Sequence, residues 1–424
     1  MKRSKLSLGL LLIGGLALAG CSSNQKTSDV STSTSIQSST EEKEINYTLK
    51  VYDLDGTELL NKSLKTKKKD SLFVDLNRES TLESDASDTG HFLESINGSI
   101  KDDNYYLAIY QNGKYSQVGI DDIVLSDNDE IVIKNECWNT VGNGYGGTMT
   151  ETDILVDKII YSSYKKFSDI YIDSTYIPYD AIFAYSALEK KENSVVDSKK
   201  IFPDAIKANY ETIDYTTLDL NSTFKTAITL YALEKDLTGI KEHITNSSFD
   251  LTQPYSETSA VYTYDVMKLL NVSASNIADY NTLIDGLTLG GDETSCMYVS
   301  ALAGKENYDF TSFKASIKEG ITENGFSYTS NWGGYDYTTC NASSTSQAIL
   351  ALTELGVDLN SDEYKANDKS LIDALLKYYD NEKGLFFDYE GDTYNLSYAE
   401  PQALAALISY KILRDKGSVN IYRG

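Results

Sequence analysis

The feature that most constrains the fold is a repeat of helices filling the C-terminal two-thirds of the chain. From Glu151 onward apolar residues recur at i, i+3, i+4 and i+7, the period of a helix with one buried face. A small-residue helix ending in Ala-Leu or a near equivalent returns at Ala187-Leu188, Ala232-Leu233, Val266-Met267, Ala301-Leu302, Ala351-Leu352 and Ala406-Leu407. Bulkier amphipathic stretches alternate with these: Thr152–Tyr164, Lys200–Tyr210, Thr238–Thr245, Asn276–Leu287, Phe310–Ile321 and Lys369–Tyr379. Helices rich in Ala and Ser pack closely and suit an inner ring, and the bulkier ones suit an outer ring. Stacked helical pairs bury a face that one pair alone cannot. Twelve helices of two alternating chemistries close most simply into an all-α (α6/α6) toroid over residues 151–424; an open helical solenoid is the alternative.

The chain before the repeat has a different rhythm. Over residues 45–134 short alternating segments predict a small, mostly β domain. Tyr47–Tyr52, Leu59–Leu64, Tyr105–Tyr110 and Glu130–Lys134 read as strands, and Leu72–Leu76 as a helical turn or a further strand. Asp55-Gly56, Asn97-Gly98 and Asn112-Gly113 mark turns. Residues 135–150, rich in Gly and Asn, read as a hinge. The expected class is α+β multidomain, and 424 residues provide ample chain for two or three cores.

The first 44 residues predict an address. Lys2, Arg3 and Lys5 precede an apolar run from Leu6 to Ala19 that ends in Leu18-Ala19-Gly20-Cys21. That run is shorter than the roughly 20 residues of a spanning helix and fits a signal peptide. Small residues directly before a cysteine suit a lipoprotein signal peptidase, so residues 1–21 are expected to end in a lipidated Cys21; an ordinary signal peptide with a chance cysteine is the alternative. Residues 22–44 are Ser, Thr, Gln and Glu with hardly an apolar side chain, too little apolar surface to offset ordering entropy. They predict a disordered tether holding the folded part outside the cytoplasm, on the extracytoplasmic face of a membrane.

Composition narrows the partners. Thirty-eight basic against sixty-three acidic residues give a formal charge of −25, which repels phosphate backbones and argues against nucleic acid. The basic cluster Lys62–Lys69 reads as a solvated loop or a contact to anionic headgroups. After Cys21 three cysteines remain, Cys137, Cys296 and Cys340. The odd number argues against a disulfide framework; Cys296 and Cys340 either pair or stay as inert thiols. With two histidines, His91 and His243, no zinc-like spacing exists.

Two sets of residues resemble a known family. Gly90-His91-Phe92-Leu93-Glu94-Ser95-Ile96-Asn97-Gly98, Tyr105-Tyr106, Asn112-Gly113, Gly119 and Asp127-Asn128-Asp129-Glu130-Ile131 resemble the domain shared by bacterial surface proteins and the C-terminal β domain of the transcobalamins. Asn341–Leu352 and Asp292–Met297 resemble the prenyltransferase-like toroids, particularly their transcobalamin and intrinsic-factor branch, and Ala399–Leu407, leading to Tyr410-Lys411 and a closing Asn420-Ile421-Tyr422, resembles the last repeat of bacterial members. The resemblance implies a corrinoid (cobalamin-like) ligand lying between toroid mouth and β domain, on polar side chains at the starts of inner helices. Carried onto this chain, those positions are Ser256, Glu257, Glu293, Thr294, Asn341 and Ser344; each is equally a residue type that caps a helix start. Helix starts also expose unpaired N–H groups, so several on one rim would form a polar cup. Trp332 and Tyr335, with Tyr394 and Asn395, sit in aromatic stretches interleaved with Gly and Asn that read either as a flat-faced rim for a planar or sugar-like ligand or as a β-hairpin covering the barrel end. Three departures from the family stand out: the β domain precedes the toroid, no cobalt-ligating histidine has a counterpart, and the helix starts are unusually acidic.

Catalysis finds no supporting motif. The helical part lacks an Asp-x-Asp-Asp run, a Cys-Gly-Glu-Gln thioester and an Asp/Cys/His zinc set. Glu257 and Glu293 could form an acid pair, as polysaccharide-active enzymes require, but nothing accompanies them. The expectation is a binding protein, not an enzyme, that needs no cofactor and hands a captured small molecule to a membrane transporter. A glycan- or protein-binding adhesive module is the runner-up.

Overall fold

The computed structural model describes residues 43–67, 70–144, 146–171, 178–192, 196–202, 204–253, 256–303, 305, 307–332, 334–392 and 398–419. The signal segment with Cys21, residues 22–42 of the tether, Tyr394, Asn395 and the closing 420–424 lie outside the described residues.

Alternation builds the first domain. Strand β1 (Glu44–Tyr52) turns Ile45, Tyr47, Leu49 and Val51 inward and the residues between them outward, the period-2 pattern of a half-buried strand. It pairs antiparallel with β2 (Glu58–Lys67). Helix α1 (Leu72–Glu79) starts on Ser71, whose side chain caps Val74 N, and buries Leu72 and Leu76. Strands β3 (Leu82–Ser87) and β4 (Gly90–Ile96) form a separate hairpin. Then β5 (Tyr105–Gln111) turns through Asn112 and Gly113, both at positive φ, into the short β6 (Lys114–Tyr115), a turn that demands Asn-Gly. The last strand, β7 (Asp129–Cys137), lies parallel to β1 and antiparallel to β5 in a sheet of order β2-β1-β7-β5-β6. The outcome is the small sheet-rich domain expected, with β7 running three residues past Lys134.

The helical region follows. Its helices are α2 (Glu151–Ile170), α3 (Tyr179–Lys191), α4 (Asp204–Asn209), α5 (Leu220–Ala232), α6 (Thr238–Asn246), α7 (Ser256–Leu270) and α8 (Ile277–Gly286). After them come α9 (Glu293–Ala303), α10 (Thr311–Gly320), α11 (Ala342–Glu354), α12 (Leu371–Leu375) and α13 (Ala399–Lys416). The Ala- and Ser-rich helices pack in succession, α3 on α5, α5 on α7, α7 on α9, α9 on α11 and α11 on α13, and α13 returns to α3. Paired side chains along a seam show neighbours running the same way: Asn221–Ser259 and Phe224–Tyr262 between α5 and α7, and Glu257–Tyr298 and Asp265–Ser300 between α7 and α9. Small residues permit this closeness, and Ala227, Ala260, Ala301, Ala348 and Ala406 are all fully buried. Between α10 and α11 a two-residue strand β8 (Ile321–Thr322) leads into a hairpin of β9 (Gly325–Trp332) and β10 (Tyr335–Cys340). The hairpin alternative for this aromatic stretch is therefore what the backbone adopts.

Buried charge ties the two parts together. Lys411, with no exposed side-chain surface, reaches Asp102 of the β domain at 2.7 Å and Asp415 at 2.7 Å. Tyr161 of α2 donates to Asp102 at 2.6 Å, and Tyr105 of β5 donates to Asp157 of α2 at 3.0 Å. Lys165 of α2 bonds Asp53 and Asp55 at 2.6 and 2.9 Å, and Lys416 pairs with Asp103 and Glu192. Residues 135–150, read above as a hinge, are themselves tied: Thr140 bridges Met149, Met149 N donates to Asn139 O, and Trp138 Nε1 donates to Asp103 O at 2.7 Å.

These ties run along one face of α2, from Asp157 through Tyr161 to Lys165, and reach the last two turns of α13 and Glu192 just past α3. Helix α2 runs antiparallel to α13, with Asp153 beside Tyr410 and Ser163 beside Glu400, so the β domain lies along the side of the ring at α2. Glu257, Glu293 and Asn341 stand at N-terminal ends of ring helices.

Candidate functional site

At the N-terminal end of the ring the structure brings three adjacent helix starts together. Each side chain there already has local work. Ser256 Oγ donates to the carbonyls of Leu251 and Gln253. Asn341 caps α11 by accepting from Ser344 N at 2.8 Å, and its Nδ2 donates to Asp388 at 3.1 Å. Ser344, fully buried, completes the capping box and donates to Phe326 O. Glu257 accepts from Tyr298 at 2.7 Å, and Glu293 accepts from Tyr328 of β9 at 3.1 Å. Burial pushes the Glu293 carboxyl above its ordinary range, and the nearby Asp388 and Asp292 add to that. Thr294 is exposed. Trp332 pairs with Tyr335 across the hairpin end, where Tyr335 is 71% exposed. Asn341 and Ser344 thus fulfil the capping role open to them, Ser256 is bonded to carbonyls just upstream, and the two glutamates are held by tyrosines rather than by each other.

The opposite end is hollow. A cleft of about 670 Å³ opens where the C-terminal ends of α11 and α13 meet the start of α2 and the connector that precedes it. Thr148, Asp153, Asn360, Lys365, Asp368 and Arg414 line it. A relay organises its wall: Asn360 Nδ2 donates to the Tyr410 hydroxyl at 2.7 Å, and Tyr410 donates to Asp153 at 2.6 Å. Asp153 is simultaneously the acidic partner of the capping box that starts α2 at Thr150. Arg414 donates to both Asp157 oxygens at 3.0 Å and to Asp415 at 2.7 Å. Burial first, then the aspartates' partial neutralisation by Lys411 and Arg414, leaves Asp157 at about 6. Lys411, despite burial that works against its charge, is held above its ordinary value by Asp157, Asp102 and Asp415. Asn367 and Asp368 adopt positive φ at the cleft's edge, a conformation that Asn and Asp tolerate best.

No cleft residue was assigned a ligand role from the sequence, although Tyr410 lies in a stretch that carries the family resemblance. The loop Gly356–Asp368 carries no catalytic or ligating motif. Only packing brings it to Asp153 and Arg414. The thiols Cys137, Cys296 and Cys340 are free. His91 stacks on Phe73 and meets Asp121, while His243 meets Thr223. Among the described residues no group of three or more His, Cys, Asp or Glu could hold a metal ion, and no helix is long and apolar enough to cross a membrane.

A family model, Domain of unknown function (DUF4430), matches residues 70–136. No curated protein matches the chain. Among solved structures, a protein from Ruminococcus gnavus ATCC 29149 put forward as metal binding aligns at 18% identity, covering 22% of this chain and 97% of its own, with a TM-score of 0.19.

Proposed function

We propose that the protein is a lipid-anchored, extracytoplasmic binding protein that captures a small polar ligand in the cleft between the C-terminal end of its helical ring and the connector from the β domain. The single observation that carries this reading is the cleft itself, whose volume lies in the range of ligand sites, roughly 300–1,000 Å³. Its wall offers donors and acceptors that face one space: Asn360, Asp368, Lys365 and Thr148 around the Tyr410–Asp153 relay. The Lys2–Cys21 segment supports the anchor and the export. The closed succession of six small-residue helices supports an α6/α6 toroid of the transcobalamin type. A corrinoid remains the first ligand to try, because its amide-rich rim matches mixed donors and acceptors. It would lie in the cleft at the C-terminal end of the ring, beside the connector from the β domain, not on the rim of Glu257, Glu293 and Asn341. Binding is favoured over catalysis because Glu257 and Glu293 are each engaged by a tyrosine. Handover to a membrane transporter follows from the anchored position.

Equilibrium dialysis of the full chain against cyanocobalamin tests the reading, with saturable coloured retention as the expected outcome. Asn360→Ala and Asp368→Ala should each weaken retention about ten-fold, the worth of one or two hydrogen bonds, while Glu293→Gln leaves it unchanged. Retention sensitive to Glu293→Gln but not to the cleft variants would move the site to the other end, and no retention would exclude the corrinoid.

A further inference from the structure

The β9–β10 hairpin at the N-terminal end of the ring has a use that the cleft does not absorb. Its register places Tyr335 and Tyr337 on one face with Tyr328, and Asp336 and Thr338 on the other with Asn331 and Thr329. The second face is a closed polar ladder: Asn331 Nδ2 donates to Asp336 at 2.8 Å, and the Thr329 and Thr338 hydroxyls meet at 3.0 Å. The first face keeps its rings in water, with Tyr335 71% and Tyr337 51% exposed. Two rings two residues apart on one strand stand about 7 Å from each other. At the base, Tyr328 is anchored by Glu293, which holds the face upright against α9.

Charge selects what such a face can meet. Ile321–Cys340 contains no lysine or arginine and only two acidic residues, Glu323 and Asp336, within a chain that is 24% charged. One of those two acids, Asp336, is already tied to Asn331. The remaining polar groups are hydroxyls and amides: Thr329, Ser330, Asn331, Thr338 and Thr339. The hairpin supplies no cation of its own to pair with an anionic polymer, Lys377 at its base is bonded to Glu323 O and Asn324, and the chain's −25 charge repels such a polymer. Flat rings flanked by neutral hydroxyl and amide groups complement a ligand with apolar C–H faces and many hydroxyls.

We propose that this hairpin docks an uncharged polysaccharide, with Tyr335 and Tyr337 as stacking platforms, as a surface separate from the ligand cleft. Affinity electrophoresis of the full chain tests it, using gels cast with neutral glucan, xylan or galactomannan, or with carboxymethylcellulose as the anionic control. At least one neutral polymer should retard the protein, and carboxymethylcellulose should not. Tyr335→Ala with Tyr337→Ala should weaken the retardation about ten-fold, while Thr329→Ala with Thr338→Ala on the other face leaves it in place. Cyanocobalamin retention by the tyrosine variant should match that of the parent chain, so failure here and failure of the cleft reading are told apart. The proposal falls if every neutral gel leaves migration unchanged, if the anionic polymer retards equally, or if retardation survives loss of both tyrosines.

Discussion

Glu400 sits at the start of α13 with no exposed surface, and burial pushes its carboxyl up to about 8. One oxygen accepts from Phe386 N at 2.5 Å. Because the folded value lies above the ordinary 4.5, the folded chain holds a proton that the unfolded chain releases. Stability from this group is complete below about 4.5 and is lost as pH climbs through about 8. Denaturant melts of Glu400→Gln, which mimics the protonated acid, should therefore lose part of the parent's decline between those limits; an unchanged slope would assign the decline elsewhere. Lys411 poses the opposite case. Replacing it by Met strands Asp102 and Asp415 without their buried cation, and removal of one partner from such a pair costs about 3–5 kcal/mol. Urea unfolding should show that loss, and a change under 1 kcal/mol would mean that Tyr161 and Arg414 hold the carboxylates by themselves.

Among elements, α11 is the best specified. Asn341 and Ser344 close its capping box, and Asn341 also holds Asp388 of the segment leading to α13. Asn341→Ala should cost about 1–2 kcal/mol, the value of a lost cap, and should leave ligand retention at the far end intact. That result would establish the residue as structural where the family resemblance gave it a ligand. The hairpin beside α11 depends on Gly325, which has a φ of +124° and whose Cβ, if present, would lie 2.2 Å from Thr345 Oγ1. Gly325→Ala should detach the base of the hairpin and abolish polysaccharide retardation as fully as loss of the two tyrosines does.

On the scale of the whole molecule, the β domain and the ring are fastened by charges that neither could keep buried alone. Calorimetry of the parent chain should therefore give one transition. Lys165→Ala combined with Asp102→Ala removes the Asp53, Asp55 and Lys411 ties, and two resolved transitions are expected from that variant. A single unshifted transition would show that apolar contacts such as Ile100 and Leu54, buried in the same core as the helices, suffice to hold the domains.

Much of this architecture was legible in the residues themselves. A period of two or of 3.6 is a local property, so β1, β5 and the alternation of Ala-rich with bulky helices followed directly from side-chain spacing. So did the turn at Asn112-Gly113, because few other residues accept that backbone. The parallel pairing of β1 with β7 was not legible, since partners some 80 residues apart in sequence leave no periodic trace. Nor was the side of the ring, along α2, on which the β domain rests. Asp53, Asp102, Asp157, Lys165 and Lys411 look like ordinary surface charges one at a time, and only folding brings Lys165 to 2.6 Å from Asp53 and Lys411 to 2.7 and 3.7 Å from Asp102 and Asp157. The sequence alone determined which segments become strands and helices; the tertiary structure decided which end holds the cleft, because buried ion pairs are chosen by proximity in space and not by order along the chain.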